Sequence, residues 1–168
     1  PGNTVTMDKL AEADIPVGFE YYAHADEKTE GVVEEDGSLV LKVYYNRKTF
    51  TVSFDVPGYA PKTYKYGETL KLEDIPEDNE VEVPDYKQFM GSATEPDKTA
   101  GTSREDLAGT EITDGISFYP AFGDLGAVTY KKIYYFEELD GSYKADEEEF
   151  SEIPGKTVTM DMLPVDEI

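Results

Sequence analysis

The chain has 168 residues, with 15 Lys and Arg against 37 Asp and Glu for a formal net charge of −22. That field repels nucleic acid and anionic membranes, both of which are held by basic patches. Hydrophobic residues at 39% and aromatics at 12% suffice for a packed core. The absence of cysteine excludes a disulfide framework and thiolate chemistry.

The chain opens on a stretch that it carries twice. Pro1-Gly2-Asn3-Thr4-Val5-Thr6-Met7-Asp8-Lys9-Leu10 returns as Pro154-Gly155-Lys156-Thr157-Val158-Thr159-Met160-Asp161-Met162-Leu163, an offset of 153 residues at which Ile15 also meets Ile168. Self-similarity at a fixed period marks a repeat architecture. The chain therefore reads as one period of a long repeat plus the beginning of the next. Thr4-Val5-Thr6 is predicted to be a short strand, with Asp8 as N-cap of one or two helical turns over 8–13. Ile15-Pro16 ends them, because the residue before proline is pushed towards extended geometry.

Residues 18–25 form the next predicted strand. Gly31-Val32-Val33 and residues 39–45 flank Glu34-Glu35-Asp36-Gly37-Ser38, and Asp-Gly between apolar runs predicts a hairpin there. Leu39, Leu41, Val43 and Tyr45 alternate onto one face. After the polar joint Asn46-Arg47-Lys48, Phe50, Val52, Phe54 and Val56 define the clearest strand. Pro57-Gly58 turns it, and 60–66 returns as its antiparallel partner. Gly67-Glu68-Thr69 to Ile75-Pro76 repeats the plan of Gly2-Asn3-Thr4 to Ile15-Pro16: Gly-x-Thr, alternating apolar residues, a helical turn, then Ile-Pro.

Residues 77–85 read as an acidic loop and 86–90 as a short strand. Residues 91–115 read as a surface loop or mobile insertion, because Gly, Ser, Thr and Asp dominate without periodicity. Ile116, Phe118 and 119–122 make a closing strand, and Gly123-Asp124-Leu125-Gly126 a linker. A hairpin follows, with 128–136 and 143–150 joined at Asp140-Gly141. One complete unit thus spans 48–122, and a second is split between 1–46 and 128–168. Each half of the split unit exposes strand faces that it cannot bury alone. Either the halves pair, within or between molecules, or the unit boundaries are permuted.

No reaction emerges from the residues, and no catalytic, cofactor or metal position is assigned. His24 is the only histidine, and between Ala23 and Ala25 it reads as a strand-end or surface residue. The acidic runs 34–36 and 146–149 lack the D-x-[DN]-x-[DN]-G calcium loop and read as solvated faces, with weak cation binding as the alternative. An isopeptide bond to Lys would have Asn3, Asn46 and Asn79 as its only asparagines, and no motif marks them. In Tyr21-Tyr22, Tyr44-Tyr45 and Tyr134-Tyr135 one ring of each pair points inward and one outward. Core packing explains them, and Tyr21, Tyr44 and Tyr134 stand as candidate ligand contacts for stacking on sugar.

Three segments carry a family resemblance. Lys48-Thr49-Phe50-Thr51-Val52-Ser53-Phe54-Asp55-Val56, the Tyr66-Gly67-Glu68 step and Asp114-Gly115-Ile116-Ser117-Phe118-Tyr119-Pro120-Ala121-Phe122 resemble the Listeria–Bacteroides repeat, or internalin B-repeat. The split unit, with Asp36-Gly37-Ser38, Lys42-Val43-Tyr44-Tyr45-Asn46-Arg47 and 129–142, resembles the mucin-binding-protein-like repeats that alternate with B-repeats. The B-repeat's aromatic-x-Gly-Trp signature falls on Phe89-Met90-Gly91-Ser92 and its closing Trp on Phe122; the 92–115 loop is longer than in the family. The resemblance implies an α+β, mostly β fold of tandem small β-grasp-like (ubiquitin-like) modules on extracellular surface proteins, chiefly of Gram-positive and gut bacteria. It implies a non-enzymatic stalk, spacer or weak adhesin whose partners are neighbouring repeats of the same polypeptide. One alternative is a module that binds host glycan or protein through its Tyr-rich faces or the 92–115 loop. Another is an accessory segment of a large secreted glycosidase.

Overall fold

The structure, a computed structural model, describes residues 2–163; Pro1 and residues 164–168, Ile168 included, lie outside the described residues. Its strands are β1 (Thr4–Thr6), β2 (Phe19–Tyr22), β3 (Glu30–Val32), β4 (Tyr44–Arg47), β5 (Thr49–Phe54), β6 (Lys62–Lys65), β7 (Lys87–Ala93), β8 (Ile116–Asp124), β9 (Val128–Glu137) and β10 (Tyr143–Glu152). One α-helical turn, α1 (Arg104–Leu107), and three 3-10 turns complete the elements. Strand accounts for 40% and helix for 8%, so the fold is α+β and mostly β.

The central sheet has the order β6-β5-β8-β7. β5 is antiparallel to β6 and parallel to β8, with Val52, Ser53 and Phe54 opposite Ile116, Ser117 and Phe118. Alternation in β5 sends Val52 and Phe54 to the same side, where both are buried and Phe54 stacks on Phe118 at 5.0 Å. Leu70, Ile75, Leu107 and Ile112 close that side. Each such side chain contributes about 1.5–3 kcal/mol by leaving water. Every fully buried hydrophobic residue among those described lies between Val52 and Ala121. The apolar core therefore belongs to one unit only.

The stretch 91–115, expected as a loop or mobile insertion, is instead ordered by its own bonds. β7 runs on to Ala93, Ser92 bridges Thr102, and Thr69 bridges Glu111. Ser103 caps α1 by accepting from the Asp106 N–H at 3.2 Å; that supplies the partner a helix start otherwise lacks. Arg104 donates to the carbonyls of Ile75 and Leu72 at 3.1 and 2.9 Å, which ties α1 across to the 3-10 turn Leu72–Asp74. Periodicity misses this stretch because its order comes from capping and backbone pairing rather than from an apolar stripe.

Pro120 lies inside the central strand β8, and a bulge accommodates it. Phe89 faces Phe122 while Ser92 faces Pro120, so Met90 and Gly91 stand against Ala121 alone. A bulge is where a sheet tolerates a residue without an N–H. The expected linker at 123–126 starts two residues late: Gly123 and Asp124 still pair with Gln88 and Lys87. The acidic stretch 77–85 holds a 3-10 turn, Asp78–Glu80, with a capping box between Glu77 and Glu80.

Two expectations for residues 2–47 are corrected. The helical turn is a 3-10 turn at Glu12–Asp14 whose N-cap is Ala11, and no side chain caps it, so Asp8 has no capping role. The hairpin across Asp36-Gly37 does not form a ladder. Gly37 does take φ +67 in a turn closed by its N–H on the Glu34 carbonyl. The backbone of β3, however, is committed to β1, with Thr4, Val5 and Thr6 opposite Val32, Gly31 and Glu30. β4 pairs with β2 instead, and only a single bridge joins Lys28 to Lys42. The hairpin at 128–150 does form as expected, extended to β9 and β10. The second copy of the opening motif is not a strand at 157–159.

Residues 2–47 reproduce part of the bonding plan of 67–125, without counterparts of α1 and the Ser92–Thr102 bridge among the described residues. Gly2 N–H bonds to Val33 O at 3.0 Å and Val33 N–H to Asn3 O at 2.9 Å; Gly67 N–H bonds to Ile112 O and Ile112 N–H to Glu68 O, both at 2.8 Å. Phe19 N–H closes on Pro16 O as Lys87 N–H closes on Pro84 O, and in each case the residue before the donor has positive φ, +82 at Gly18 and +62 at Tyr86. Tyr21 then faces Tyr45 as Phe89 faces Phe122. Val5 and Val33 stand where the central unit has Leu70 and Ile112. The former are 38% and 36% exposed, the latter 1% and 0%.

Candidate functional site

The antiparallel pair β2–β4 puts its tyrosines on two faces. Tyr21 faces Tyr45 and Tyr22 faces Tyr44. Neighbouring residues of a strand point to opposite sides, so Tyr21 and Tyr45 share one face and Tyr22 and Tyr44 the other. On the first face the rings meet edge-on at 6.2 Å. The Tyr21 hydroxyl donates to Glu27 Oε2 at 2.6 Å, and the Lys9 ammonium sits 3.6 Å above its ring. The Tyr45 hydroxyl accepts the Leu10 N–H at 2.7 Å. Ring and hydroxyl of Tyr21 are thus spent on holding residues 9–27 to the sheet.

The second face is the open one. His24 stacks on Tyr44 at 4.2 Å, and Tyr22 meets His24 edge-on at 6.0 Å. His24 Nδ1 accepts the Asp26 N–H at 3.1 Å, which fixes the ring at the end of β2. Tyr22 remains 46% exposed. Three flat rings with polar tips can stack on a sugar or on an aromatic side chain. Sequence reasoning retained Tyr44 and omitted Tyr22 and His24, because only the register of β4 on β2 gathers the three.

Tyr134 is elsewhere. It lies on β9 and donates to the Asp161 carbonyl at 3.3 Å, within the hairpin segment. The three candidate tyrosines therefore do not form one site: Tyr44 belongs to the open aromatic face, Tyr21 to the reverse face and Tyr134 to another sheet. The acidic run of β10 brackets Lys131, which reaches Glu147 at 2.8 Å and Glu149 at 4.0 Å. Among the described residues no three His, Asp or Glu side chains converge as metal ligands, and no helix is long and apolar enough to cross a membrane.

In the central unit Tyr64, Asp74 and Lys62 form a polar cluster. The Tyr64 hydroxyl donates to Asp74 Oδ2 at 2.6 Å and accepts the Lys71 N–H at 3.2 Å, and Lys62 lies 3.4 Å from Asp74. Burial first, and then the bond to Asp74, push the Tyr64 ionisation up to about 12. The Tyr64 hydrogen bond, helped by Lys62, holds the Asp74 carboxyl below its ordinary value. A carboxyl lowered on folding contributes stability above its unfolded pKa and loses it as pH falls through the folded one. Tyr64→Phe is therefore expected to cost about 1–2 kcal/mol at pH 7. The gap to wild type should narrow below about pH 4, as read from urea unfolding at pH 7 and pH 3.

Comparison with known proteins finds no matching family profile, no similar curated protein and no similar solved structure.

Proposed function

We propose that this chain is a non-enzymatic spacer segment of an extracellular bacterial surface protein, built from tandem β-grasp-like units of the B-repeat and mucin-binding-protein-like kinds. The observation that carries the reading is the joint between units, where one backbone bond recurs: Lys48 N–H to Gly18 O at the first and Leu125 N–H to Tyr86 O at the second. At the first, Lys48 alone separates β4 from β5. Its N–H bonds to Gly18 O and its carbonyl accepts the Tyr66 N–H, both at 2.8 Å. Arg47 reaches the Tyr66 carbonyl at 3.0 Å, and Gly18 lies so close to the Tyr66 ring that a Cβ there would overlap it.

At the second joint Leu125 N–H bonds to Tyr86 O at 3.1 Å. The Tyr86 ring lies 3.9 Å from where a Cβ of Gly155 would be, under the Lys156 ammonium at 5.8 Å. The first joint is thus closed by a ring laid on a glycine, while at the second the Tyr86 ring comes near Gly155 only at the distance of an ordinary contact. Linked units held this way give reach with limited bending, and the charge of −22 opposes sticking between stalks.

The competing reading is adhesion through the open face of Tyr22, His24 and Tyr44. A glycan array and a panel of mucin and matrix proteins probed with the purified chain separate the two. The spacer reading expects no signal above a charge-matched control. Binding that vanishes in Tyr44→Ala, and survives in Tyr134→Ala, would replace the spacer with an adhesin. Hydrolysis of chromogenic glycosides by the purified chain would overturn the non-enzymatic reading.

A further inference from the structure

The sequence has three Asp-Gly steps, Asp36-Gly37, Asp114-Gly115 and Asp140-Gly141. Glycine has no side chain to crowd its nitrogen, so that nitrogen can close on the carboxyl carbon of the aspartate before it. Which step can do so in the folded chain depends on where the carboxyl and the glycine N–H are engaged.

At two of the steps the fold holds these groups apart. Gly37 N–H bonds to Glu34 O at 3.2 Å and Gly141 N–H to Glu138 O at 2.9 Å, each across its own turn. Asp36 Oδ1 accepts the Ser38 N–H at 2.9 Å. Asp140 Oδ1 accepts the Ser142 N–H at 2.9 Å and the Ser142 hydroxyl at 2.6 Å. Each carboxyl is thus drawn past the glycine to the residue beyond it. The serine side-chain bond first, and the N–H bond next, also hold both carboxyls below their ordinary value. The neutral acid, the form that gives up an oxygen as water, is correspondingly scarcer there.

Asp114 is arranged the other way. Gly115 N–H donates to Asp114 Oδ1 at 2.7 Å, so the nitrogen lies against the carboxyl of its own predecessor. Both residues are exposed and stand between elements; strand pairing resumes only at Ile116, opposite Val52. We propose that Asp114-Gly115 is a self-modification site, at which the folded chain converts Asp114 to isoaspartate through a succinimide. The Gly115 nitrogen bonds to the side-chain carboxyl carbon of Asp114. The bond from that carbon to its hydroxyl breaks, and the hydroxyl leaves as water with the amide proton. Water then adds back to either imide carbonyl. Opening at the side-chain carbon restores aspartate, whereas opening at the main-chain carbon routes the backbone through Cβ. Water is the only other reactant. The chemistry needs only the fold of the central unit and is independent of the spacer reading.

The experiment keeps the full chain warm in mildly acid buffer, folded and, in parallel, unfolded in guanidinium. Intact mass reads the succinimide as a species one water lighter. Peptide mapping with electron-transfer fragmentation, which separates the two isomers, reads isoaspartate at each step. In the folded chain it should accumulate at Asp114 about tenfold or more faster than at Asp36 or Asp140, a margin that positioning of the reacting atoms supplies. In the unfolded chain the three rates should draw together, because the bonds that set them apart are gone. Asp114→Glu, whose longer side chain disfavours ring closure, should lose most of the water-lighter species while the central unit keeps its unfolding transition. A lead at Asp36 or Asp140, equal rates in the folded chain, or no isoaspartate at Asp114 would each overturn the assignment. So would a lead at Asp114 that persists undiminished on unfolding, or a water-lighter species undiminished in Asp114→Glu.

Discussion

Leu70→Ala is expected to destabilise the central unit by about 3–4 kcal/mol, whereas Val5→Ala should cost less than about 1 kcal/mol. The two residues hold the same place in the shared bonding plan, each one position after the Thr of Gly-x-Thr. Leu70 is 1% exposed, packed among Val52, Ile75, Leu107 and Ile112, and both its N–H and its carbonyl are bonded to the 109–110 turn at 2.8 Å. Truncation there loses the transfer energy of the removed carbons and leaves a cavity that surrounding β-structure cannot close. Val5 is 38% exposed, and among the described residues no equivalent of β5 or α1 packs on it. Chemical unfolding of the full chain followed by near-ultraviolet tyrosine signals and by amide exchange separates the units. Equal costs at the two positions would mean that residues 2–47 bury a core of their own.

Gly91→Ala should cost about 3 kcal/mol or more and open the 92–102 clasp before anything else unfolds. Gly91 has φ +95, in the left-handed region where a side chain is strained by roughly 1–2 kcal/mol. Its missing Cβ is also the space into which the Thr102 carbonyl fits, and a Cβ on Gly101 would in turn meet the Gly91 carbonyl carbon at 2.6 Å. This backbone-on-backbone contact lets Gly101 N–H reach Met90 O at 3.1 Å and aligns the paired bonds between Ser92 and Thr102 at 2.9 and 2.8 Å. Moving the strands apart forfeits those bonds, each worth about 1 kcal/mol net. Amide exchange should quicken at Ser92, Gly101 and Thr102 and stay slow at Val52 and Phe118. Protection unchanged at those three sites would show that the contact is not what closes the clasp.

Much of the central unit can be read from residue order. Phe50, Val52 and Phe54 announce their face by alternation, Pro57-Gly58 announces the turn, and Asp140-Gly141 does the same for β9 and β10. The weak likeness of Gly67-Glu68-Thr69 to Gly2-Asn3-Thr4 corresponds to a shared pattern of backbone bonds, although few side chains agree. What alternation cannot supply is the choice of partner. Gly31-Val32 is as good a strand against 39–45 as against Thr4-Val5-Thr6, and the selection is made by backbone groups whose identity no side chain reports. The open face of Tyr22, His24 and Tyr44 is hidden from sequence for the same reason, since it exists only in the register of β4 on β2. The clasp at Gly91 and Gly101 is marked merely by two glycines in a run that has several.

The seat of the Tyr66 ring on Gly18 bears on more than stiffness. A ring laid on a bare Cα leaves little room for rotation about the joint, so the angle between residues 2–47 and the central sheet is set by a handful of atoms. The three rings around His24 are then held at one azimuth to that sheet. Tyr86, with φ +62 where the first joint has glycine, accepts a strained backbone at the second.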